Sequence, residues 1–352
     1  MEVLVLGGTG AMGVPVVQLL RREGYTLYVT SRSPKESVDN INYIQGNAKD
    51  NNFLDTLLVR EYDAIIDFMV YDSEELEERI DKLLAATEQY CFFSSSRVYA
   101  ESQEPITEDS SRLLDVCEDK IYLNTNEYAL AKAREENILK NCGKKNWTII
   151  RPYITYNDYR LQLGVYEKEN WLYRALQGRT IIMPKDIAER KTTITYGLDV
   201  ASAIVKLIGN QSAYGEIYHI VSTQAVTWGQ ILNVYLDTIE EKRGFRPKVK
   251  VIDDSKTLQK VWNPWQIKYD RLYDRTFDNS KILNICGECY FKEYQVGLKE
   301  CISRFLEKPI WLGINWRYEA WADKIAEEKT PLKEIKSKKL KLKYIKWRYF
   351  QL

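Results

Sequence analysis

Short apolar runs alternate with helix-like segments through the first 150 residues. The runs rich in β-branched and aromatic side chains are the opening run and residues 25–30, 41–47, 62–71, 89–96 and 146–152. Strands that are buried on both faces are nearly continuous apolar runs, and helices are the usual connections between parallel strands. The pattern therefore predicts an α/β fold, a doubly wound parallel sheet covered by helices on both faces.

The pattern changes after Pro152, where the segments become longer, less regular and rich in Tyr, Trp and Arg. We expect one further strand and helix over 192–208 and helices over 226–244 and 294–308. The predicted organisation is a sheet domain over 1–156 to which 191–210 return, and a smaller, mostly C-terminal α/β region. That region comprises 157–190 and 211–330, and a basic tail follows over 331–352.

The bulk composition is that of a globular protein with a sizeable core. Its 352 residues include 51 Lys and Arg against 50 Asp and Glu, a net charge of +1, which gives no global reason to expect nucleic acid as a partner. No run of 18 apolar residues and no signal-like start is seen, so we expect a cytoplasmic protein without a transmembrane segment.

The exception to this charge balance is the end of the chain. Residues 333–352 carry seven Lys and one Arg against one Glu, a net charge of +7 that leaves −6 for the rest. A solvated helix or an edge strand is one explanation, and contact with an anionic membrane surface or a partner is the other.

Cysteine and histidine give no metal site. Cys286 and Cys289 form a C-x-x-C pattern, but a zinc site needs a second ligand pair and His219 is the sole histidine. We expect buried or half-buried thiols and a structural or surface His219 on a strand.

Glycines mark the turn from the first strand to the first helix. Gly7, Gly10 and Gly13 form a G-x-x-G-x-x-G pattern, which suits a tight turn, close approach to a pyrophosphate and close packing of the helix on the sheet. The helix N-terminus attracts phosphate, so the pattern predicts a dinucleotide site. The predicted contacts include the neighbouring Thr9, Ala11 and Met12, and Phe68 and Met69 after the strand in 62–71.

The end of the second strand indicates which nicotinamide cofactor is preferred. An NAD site has an acidic residue there, whereas this chain has Ser31 and Arg32. A hydroxyl and a guanidinium are complementary to a 2′-phosphate, which predicts NADP in preference to NAD. A solvated Arg32 that stacks on adenine is the alternative.

Tyr128 and Lys132 stand four residues apart in a segment of strong helix formers. Such residues share one helix face, so the ammonium can lie beside the phenol. A chain with 25 tyrosines offers this spacing by chance, so the context must decide.

That context resembles the extended short-chain dehydrogenase/reductases, a Rossmann-fold family of nucleotide-sugar epimerases, dehydratases and reductases. The similar motifs, in order, are GGTGAMG (7–13), SSSRVYA (94–100), YALAK (128–132), RPYITY (151–156), TYGLDVASAI (195–204) and FDNSKI (277–282).

The resemblance implies residue roles. Tyr128 is the acid or base, since the pKa of a free phenol, about 10, needs a nearby cation to serve near neutral pH. Lys132 supplies that cation and bonds the nicotinamide ribose. Ser95 bonds the reacting oxygen, and Pro152 and Tyr153 border the nicotinamide.

Three departures from the family pattern stand out. Ser96 and Arg97 replace the Asp-Glu pair of the 4,6-dehydratases, which argues against water elimination and makes both residues substrate-contact candidates. Asn47 stands where many relatives have an aspartate that contacts adenine, and we expect the neutral asparagine to make a similar contact with the cofactor. The segment TYNDYR (155–160) replaces the common Tyr-Gly-Pro sequence.

The expected function is an NADP-dependent reductase acting at C4 of a nucleotide-activated sugar. A 4-epimerase is the alternative, and a non-catalytic binding protein is a third possibility. We expect Arg160, Arg179 and Arg190 as substrate contacts, with either Arg190 or Arg179 at a diphosphate. The resemblance also implies a homodimer formed through a four-helix bundle.

Overall fold

The computed structural model describes residues 1–287 and 289–351. The strands are β1 Glu2–Leu6, β2 Thr26–Ser31, β3 Ile41–Gln45, β4 Tyr62–Asp67, β5 Thr87–Phe93, β6 Trp147–Pro152, β7 Ile154–Tyr156, β8 Ile181–Pro184, β9 Lys191–Tyr196, β10 Glu216–Ile220, β11 Ala225–Thr227 and β12 Val249–Ile252.

The α-helices are α1 Gly13–Arg22, α2 Asn51–Leu57, α3 Ser73–Ala85, α4 Leu113–Val116, α5 Lys120–Leu123, α6 Tyr128–Asn141, α7 Lys168–Leu176, α8 Lys185–Ala188, α9 Gly197–Leu207, α10 Trp228–Arg243, α11 Pro264–Gln266, α12 Ser280–Cys286, α13 Tyr294–Glu307, α14 Trp316–Ala326 and α15 Lys338–Lys346. Short 3-10 turns cover Ser96–Val98, Gln211–Ala213, Leu258–Lys260 and Leu332–Glu334, and π-helical turns cover Ile267–Arg271 and Trp347–Gln351.

Within the described residues, the largest sheet has seven strands in the order β10-β6-β5-β4-β1-β2-β3, and every neighbouring pair is parallel. The strand order reverses between β1 and β4, whose register pairs Val5 with Ile66. The Rossmann-type, doubly wound fold is thereby confirmed. Its carboxyl-end crevice between β1 and β4 is the usual ligand position in such sheets.

The two faces of this sheet carry separate apolar clusters. On one face, Val16 and Leu20 of α1 pack with Ile204 of α9, and on the other Leu76 and Ile80 of α3 pack with neighbouring core residues. Burial of both faces explains why the strands are continuous apolar runs.

The chain divides into two compact units, unit 1 (1–155, 194–223 and 277–292) and unit 2 (156–193, 224–276 and 293–352). The expected boundaries are corrected at 211–223 and 277–292, which belong to the sheet unit. The first segment supplies β10, which pairs with β6, and the second supplies α12, which packs on α9 and β10. These long-range pairings have no local signature in the sequence.

Unit 2 has a core of its own. The rings of Trp171 and Tyr235 stack with centroids 4.5 Å apart, and α10 packs along α13. The buried guanidinium of Arg174 pairs with Glu319 at 2.9 Å and with Asp323 at 2.8 Å. The basic tail belongs to this unit and folds as α15, so the edge-strand alternative is wrong.

Cys286 and Cys289 form a disulfide, which corrects the expectation of free thiols. Gly287 ends α12 with a φ of +69° and turns the chain back, so that the two Cα atoms lie 5.3 Å apart, within the range that a disulfide spans. Residue 288 lies outside the described part of the chain.

Across the described residues, none of the helices combines the length and the apolar character needed to span a bilayer.

Candidate functional site

The loop between β1 and α1 packs closely against the start of the helix. A Cβ added to Gly13 would lie 2.6 Å from the Cα of Gly8, so only glycine allows this approach. At Gly10 the nearest atom to an added Cβ is the Gly7 carbonyl oxygen at 3.5 Å, which leaves room for a ligand. The first turn of α1 has no acidic residue, and its N-terminus therefore favours an anion.

A cleft of about 460 Å³ opens at the carboxyl ends of β1, β2 and β4. It brings together a majority of the predicted cofactor residues, namely Gly7, Thr9, Gly10, Ser31, Arg32, Asn47, Phe68 and Met69. Five further residues line the cleft without having been predicted from the sequence: Thr30, Gly46, Ala48, Lys49 and Val70. Thr30 has a clear role, because its hydroxyl oxygen accepts a 2.9 Å hydrogen bond from the Gly7 amide.

The charge of the cleft is positive at the end of β2. Its described lining includes the cations Arg32 and Lys49 and no carboxylate. The hydroxyl of Ser31 donates to the Ser33 carbonyl at 2.8 Å, which shapes the loop that presents the exposed Arg32. Lys49 is partly neutralised by Glu75 at 2.6 Å.

The remaining predicted cofactor residues do not line this cleft. Ala11 and Met12 precede α1, and Met12 packs on the core at its edge. Pro152 ends β6, and the ring of Tyr153 lies 5.5 Å from that of Phe277.

Ser95 follows β5 and caps a short 3-10 turn, because its side chain accepts a hydrogen bond from the Arg97 amide at 3.2 Å. The next residue, Ser96, is fully buried and donates to the Arg151 carbonyl at 2.8 Å. This burial corrects the expectation that Ser96 contacts a substrate, because its hydroxyl is already hydrogen-bonded within the core.

Tyr128 is the first residue of α6, where Glu127 caps the helix by accepting from the Ala129 amide at 2.8 Å. The tyrosine is 39% exposed, which leaves its ring open to solvent. The guanidinium of Arg97 lies 5.4 Å from the ring centroid and also pairs with Glu127. Arg97 is therefore a cation held beside Tyr128.

Lys132 is buried one turn further along α6. Its ammonium donates to Oε2 of Glu135 at 2.8 Å and lies 4.7 Å above the Phe92 ring centroid. Burial raises the pKa of Glu135 to about 7, while Lys132 opposes that rise. In the described structure, the Lys132 ammonium thus bonds Glu135 rather than Tyr128.

A second buried acid lies close enough to affect this pair. Asp67, at the end of β4, accepts hydrogen bonds from Tyr90 at 2.9 Å and Tyr71 at 3.0 Å. Burial raises the pKa of Asp67 to about 6, and these hydrogen bonds and Lys132 oppose the rise.

Two buried acids of α6 were not predicted from the sequence. Glu135 and Glu136 are fully buried, and Glu136 pairs with Arg151 at 2.6 Å and Arg112 at 3.1 Å. Charged residues seven and eight positions after Tyr128 on the same helix face were the available signal.

The three arginines expected at the substrate all lie in unit 2. Arg179 is buried and pairs with Glu334 at 2.9 Å, which corrects its expected role at a diphosphate because the charge is already neutralised. Arg160 is half exposed and 3.6 Å from Glu167, whereas Arg190 is exposed.

Of the two positions expected for His219, structural or surface, the structure shows the structural one. It is fully buried, and its ring nitrogens contact the Tyr99 hydroxyl at 3.2 Å and the Asp278 carbonyl at 2.7 Å. Burial lowers the pKa of His219 to about 4, so the imidazole is neutral. The described residues contain no group of three or more His, Cys, Asp or Glu that could hold a metal.

The doubly wound sheet, the close-packed glycine turn and the cleft at the strand-order reversal define a dinucleotide-binding α/β protein. A family model described as the NAD dependent epimerase/dehydratase family matches residues 3–220. The chain therefore belongs to that family, and the resemblance to the extended short-chain dehydrogenase/reductases is confirmed.

The individual relatives share only low sequence identity with this chain. The chain is 27% identical over 244 residues, 64% of its length, to the chloroplast stem-loop binding protein of 41 kDa b of Arabidopsis thaliana, covering 60% of that protein. It is 22% identical over 240 residues, 66% of its length, to 2′-dehydrokanamycin reductase of Streptomyces kanamyceticus, covering 64% of that protein. The matches thus span less than two thirds of these relatives.

Among solved structures, dTDP-glucose 4,6-dehydratase of Bacillus anthracis in complex with NAD has a TM-score of 0.67 at 16% identity. The match covers 88% of this chain and 98% of that one. At this identity the likeness shows the shared fold.

The residues of the cleft fit the cofactor of the family. Open space beside Gly10 and the N-terminus of α1 suit a pyrophosphate, and Arg32 at the end of β2 suits a further phosphate.

Proposed function

We propose that the protein is an NADP-dependent reductase acting at C4 of a nucleotide-activated sugar. The observation that carries the proposal is the charge at the end of β2, where Ser31 and Arg32 line the same cleft as the glycine turn and no described carboxylate does. An acidic residue here would repel a 2′-phosphate, whereas a guanidinium attracts it. A reductase consumes an exchangeable cofactor, which suits NADPH.

The proposed roles follow from the positions of the side chains. The amides of the loop and of the first turn of α1 hold the pyrophosphate, and Arg32 holds the 2′-phosphate. The bound nicotinamide supplies the hydride. Tyr128, open to solvent at the start of α6, donates the proton to the keto oxygen, and Ser95 donates a hydrogen bond to the same atom.

One cation lies beside the proposed acid, and a second follows it on α6. Arg97 lies beside the Tyr128 ring, and Lys132 follows on the same helix face. We propose that Lys132 exchanges Glu135 for the nicotinamide ribose when the cofactor binds. The buried Ser96 and the ion-paired Arg97 offer no carboxylic acid for water elimination, which supports reduction over dehydration.

The test is incubation of the purified protein with a 4-keto nucleotide sugar and NADPH. Reduction predicts one NADPH oxidised for each 4-hydroxy sugar formed. Loss of the nicotinamide absorbance without that product contradicts the proposal.

A 4-epimerase is the second candidate, because the structural neighbour binds NAD and Ser95, Tyr128 and Lys132 suit both reactions. It predicts interconversion of C4 epimers with no net change in nicotinamide absorbance. A non-catalytic binding protein, the third candidate, has support in the name of the Arabidopsis relative. It predicts no turnover in either assay.

The homodimer also remains a proposal. Light scattering of the purified protein tests it, and a mass near twice the 41.3 kDa of one chain is expected.

A further inference from the structure

The basic segment, residues 333–351, is an ordered part of unit 2. The Tyr344 hydroxyl donates to Asp323 of α14 at 2.6 Å and accepts from the Thr330 amide at 3.1 Å. Ile335 and Tyr344 are buried against Ala320. One side of α15 is therefore fixed to the core of the unit.

The solvent-exposed surface of the segment carries positive charge that no described ion pair compensates. Six of its lysines are exposed and have no ion pair among the described residues: Lys333, Lys336, Lys338, Lys339, Lys343 and Lys346. The net charge of +1 for the whole chain conceals this concentration. A surface of this kind attracts a polyanion.

Exposed apolar side chains lie within the same charged surface. Leu342 of α15 is 71% exposed, and Phe350 of the π-helical turn that follows is 80% exposed. Tyr349, 52% exposed, lies beside Phe350. Lysines surrounding projecting leucine and aromatic side chains are typical of helices that lie on a membrane surface.

We propose that the basic segment is a docking surface for an anionic lipid bilayer. Its lysines lie at the headgroup phosphates while Leu342 and Phe350 enter the acyl boundary. A nucleic acid would satisfy the lysines and stack on the aromatic rings, but it offers nothing to the aliphatic Leu342. Because few apolar groups insert, binding is reversible and sensitive to salt. The proposal is independent of the reaction proposed above.

Sedimentation of the full chain with vesicles tests the proposal. Phosphatidylcholine vesicles that contain phosphatidylglycerol should bind at least about tenfold more protein than phosphatidylcholine alone, and added salt should release it. Equal binding to both vesicles overturns the proposal. Displacement of the protein from anionic vesicles by an equal phosphate concentration of an RNA hairpin overturns it in favour of a nucleic acid.

Two pairs of variants separate the surface from general charge and hydrophobicity. The charge variant converts four lysines of the segment to glutamate, namely Lys338, Lys339, Lys343 and Lys346. Its control converts four exposed lysines elsewhere to glutamate, namely Lys120, Lys144, Lys206 and Lys248. The apolar variant is Leu342→Ser with Phe350→Ser, and its control is Leu312→Ser with Val59→Ser, two residues that are each 88% exposed.

The first variant of each pair should lose at least about tenfold in vesicle binding, and its control should retain it. Circular dichroism checks that all four proteins are folded. Equal losses in a variant and its folded control show that the segment is not the docking surface.

Discussion

The ammonium of Lys132 donates a 2.8 Å hydrogen bond to Oε2 of Glu135, and both side chains are buried. The residue proposed to assist Tyr128 is therefore held by an acid on its own helix. Such a pair couples the charge near the proposed acid to the protonation of Glu135.

Glu135→Gln should move the pH dependence of turnover to lower pH, because the catalytic proton then leaves a less negative environment. A shift of about half a pH unit or more in the profile of kcat/KM is expected. Glu77→Gln, which removes an exposed carboxylate from α3, is the control. An unchanged profile in Glu135→Gln contradicts the coupling.

Tyr128→Phe should lower turnover by at least about a hundredfold, because the proton donor is lost. Cofactor affinity, measured by fluorescence titration with NADPH, should stay within about twofold since the ring remains. Tyr159→Phe, at an exposed tyrosine of unit 2, is the matched control. Retained turnover in Tyr128→Phe would show that another group transfers the proton.

Arg32→Ala should weaken NADPH binding by about tenfold and leave NADH binding nearly unchanged, because only NADPH carries the 2′-phosphate. Isothermal titration gives both dissociation constants. Lys35→Ala removes a nearby cation that does not line the cleft and should have little effect. If the unmodified protein binds NADH more tightly than NADPH, the proposed preference for NADP is wrong.

Gly10→Ala should weaken cofactor binding, whereas Gly13→Ala should destabilise the fold. The added methyl at Gly10 meets no close neighbour but occupies ligand space, so cofactor affinity should fall while the melting temperature stays nearly unchanged. At Gly13 the methyl would clash with Gly8, and we expect a loss of about 1–3 kcal/mol in the free energy of unfolding. Titration with NADPH checks the affinity of Gly10→Ala, and thermal and urea unfolding without cofactor check the stability of both variants. Equal stability of the two variants contradicts the close packing.

His219 should make the fold sensitive to acid. Its pKa is lowered by burial to about 4, whereas a histidine in the unfolded chain titrates at about 6.5. As pH falls through this window, the unfolded chain takes up the proton first, so stability decreases by up to about 3 kcal/mol. Since this is the sole histidine, urea unfolding of His219→Gln at about pH 7 and about pH 5 isolates the effect. An equal loss in both proteins assigns the sensitivity to carboxyl groups.

Features that depend on local spacing were available from the sequence. The apolar runs predicted the strands, because a strand that is buried on both faces needs apolar side chains on both. The glycine pattern predicted the turn, because Gly13 must approach Gly8 closely. The shared face of Tyr128 and Lys132 follows from helical periodicity alone.

Contacts between distant segments were decided only by the tertiary structure. The pairing of β10 with β6 moved 211–223 into the sheet unit, and burial beside Glu334 removed Arg179 from the candidate substrate contacts. The sequence also left the hydrogen-bond partner of Lys132 undetermined. The packing of α6 decides which buried acid lies within reach of the ammonium, and in the structure this acid is Glu135. Periodicity and turn chemistry act over a few residues, whereas burial and ion pairing depend on neighbours that folding brings from far along the chain.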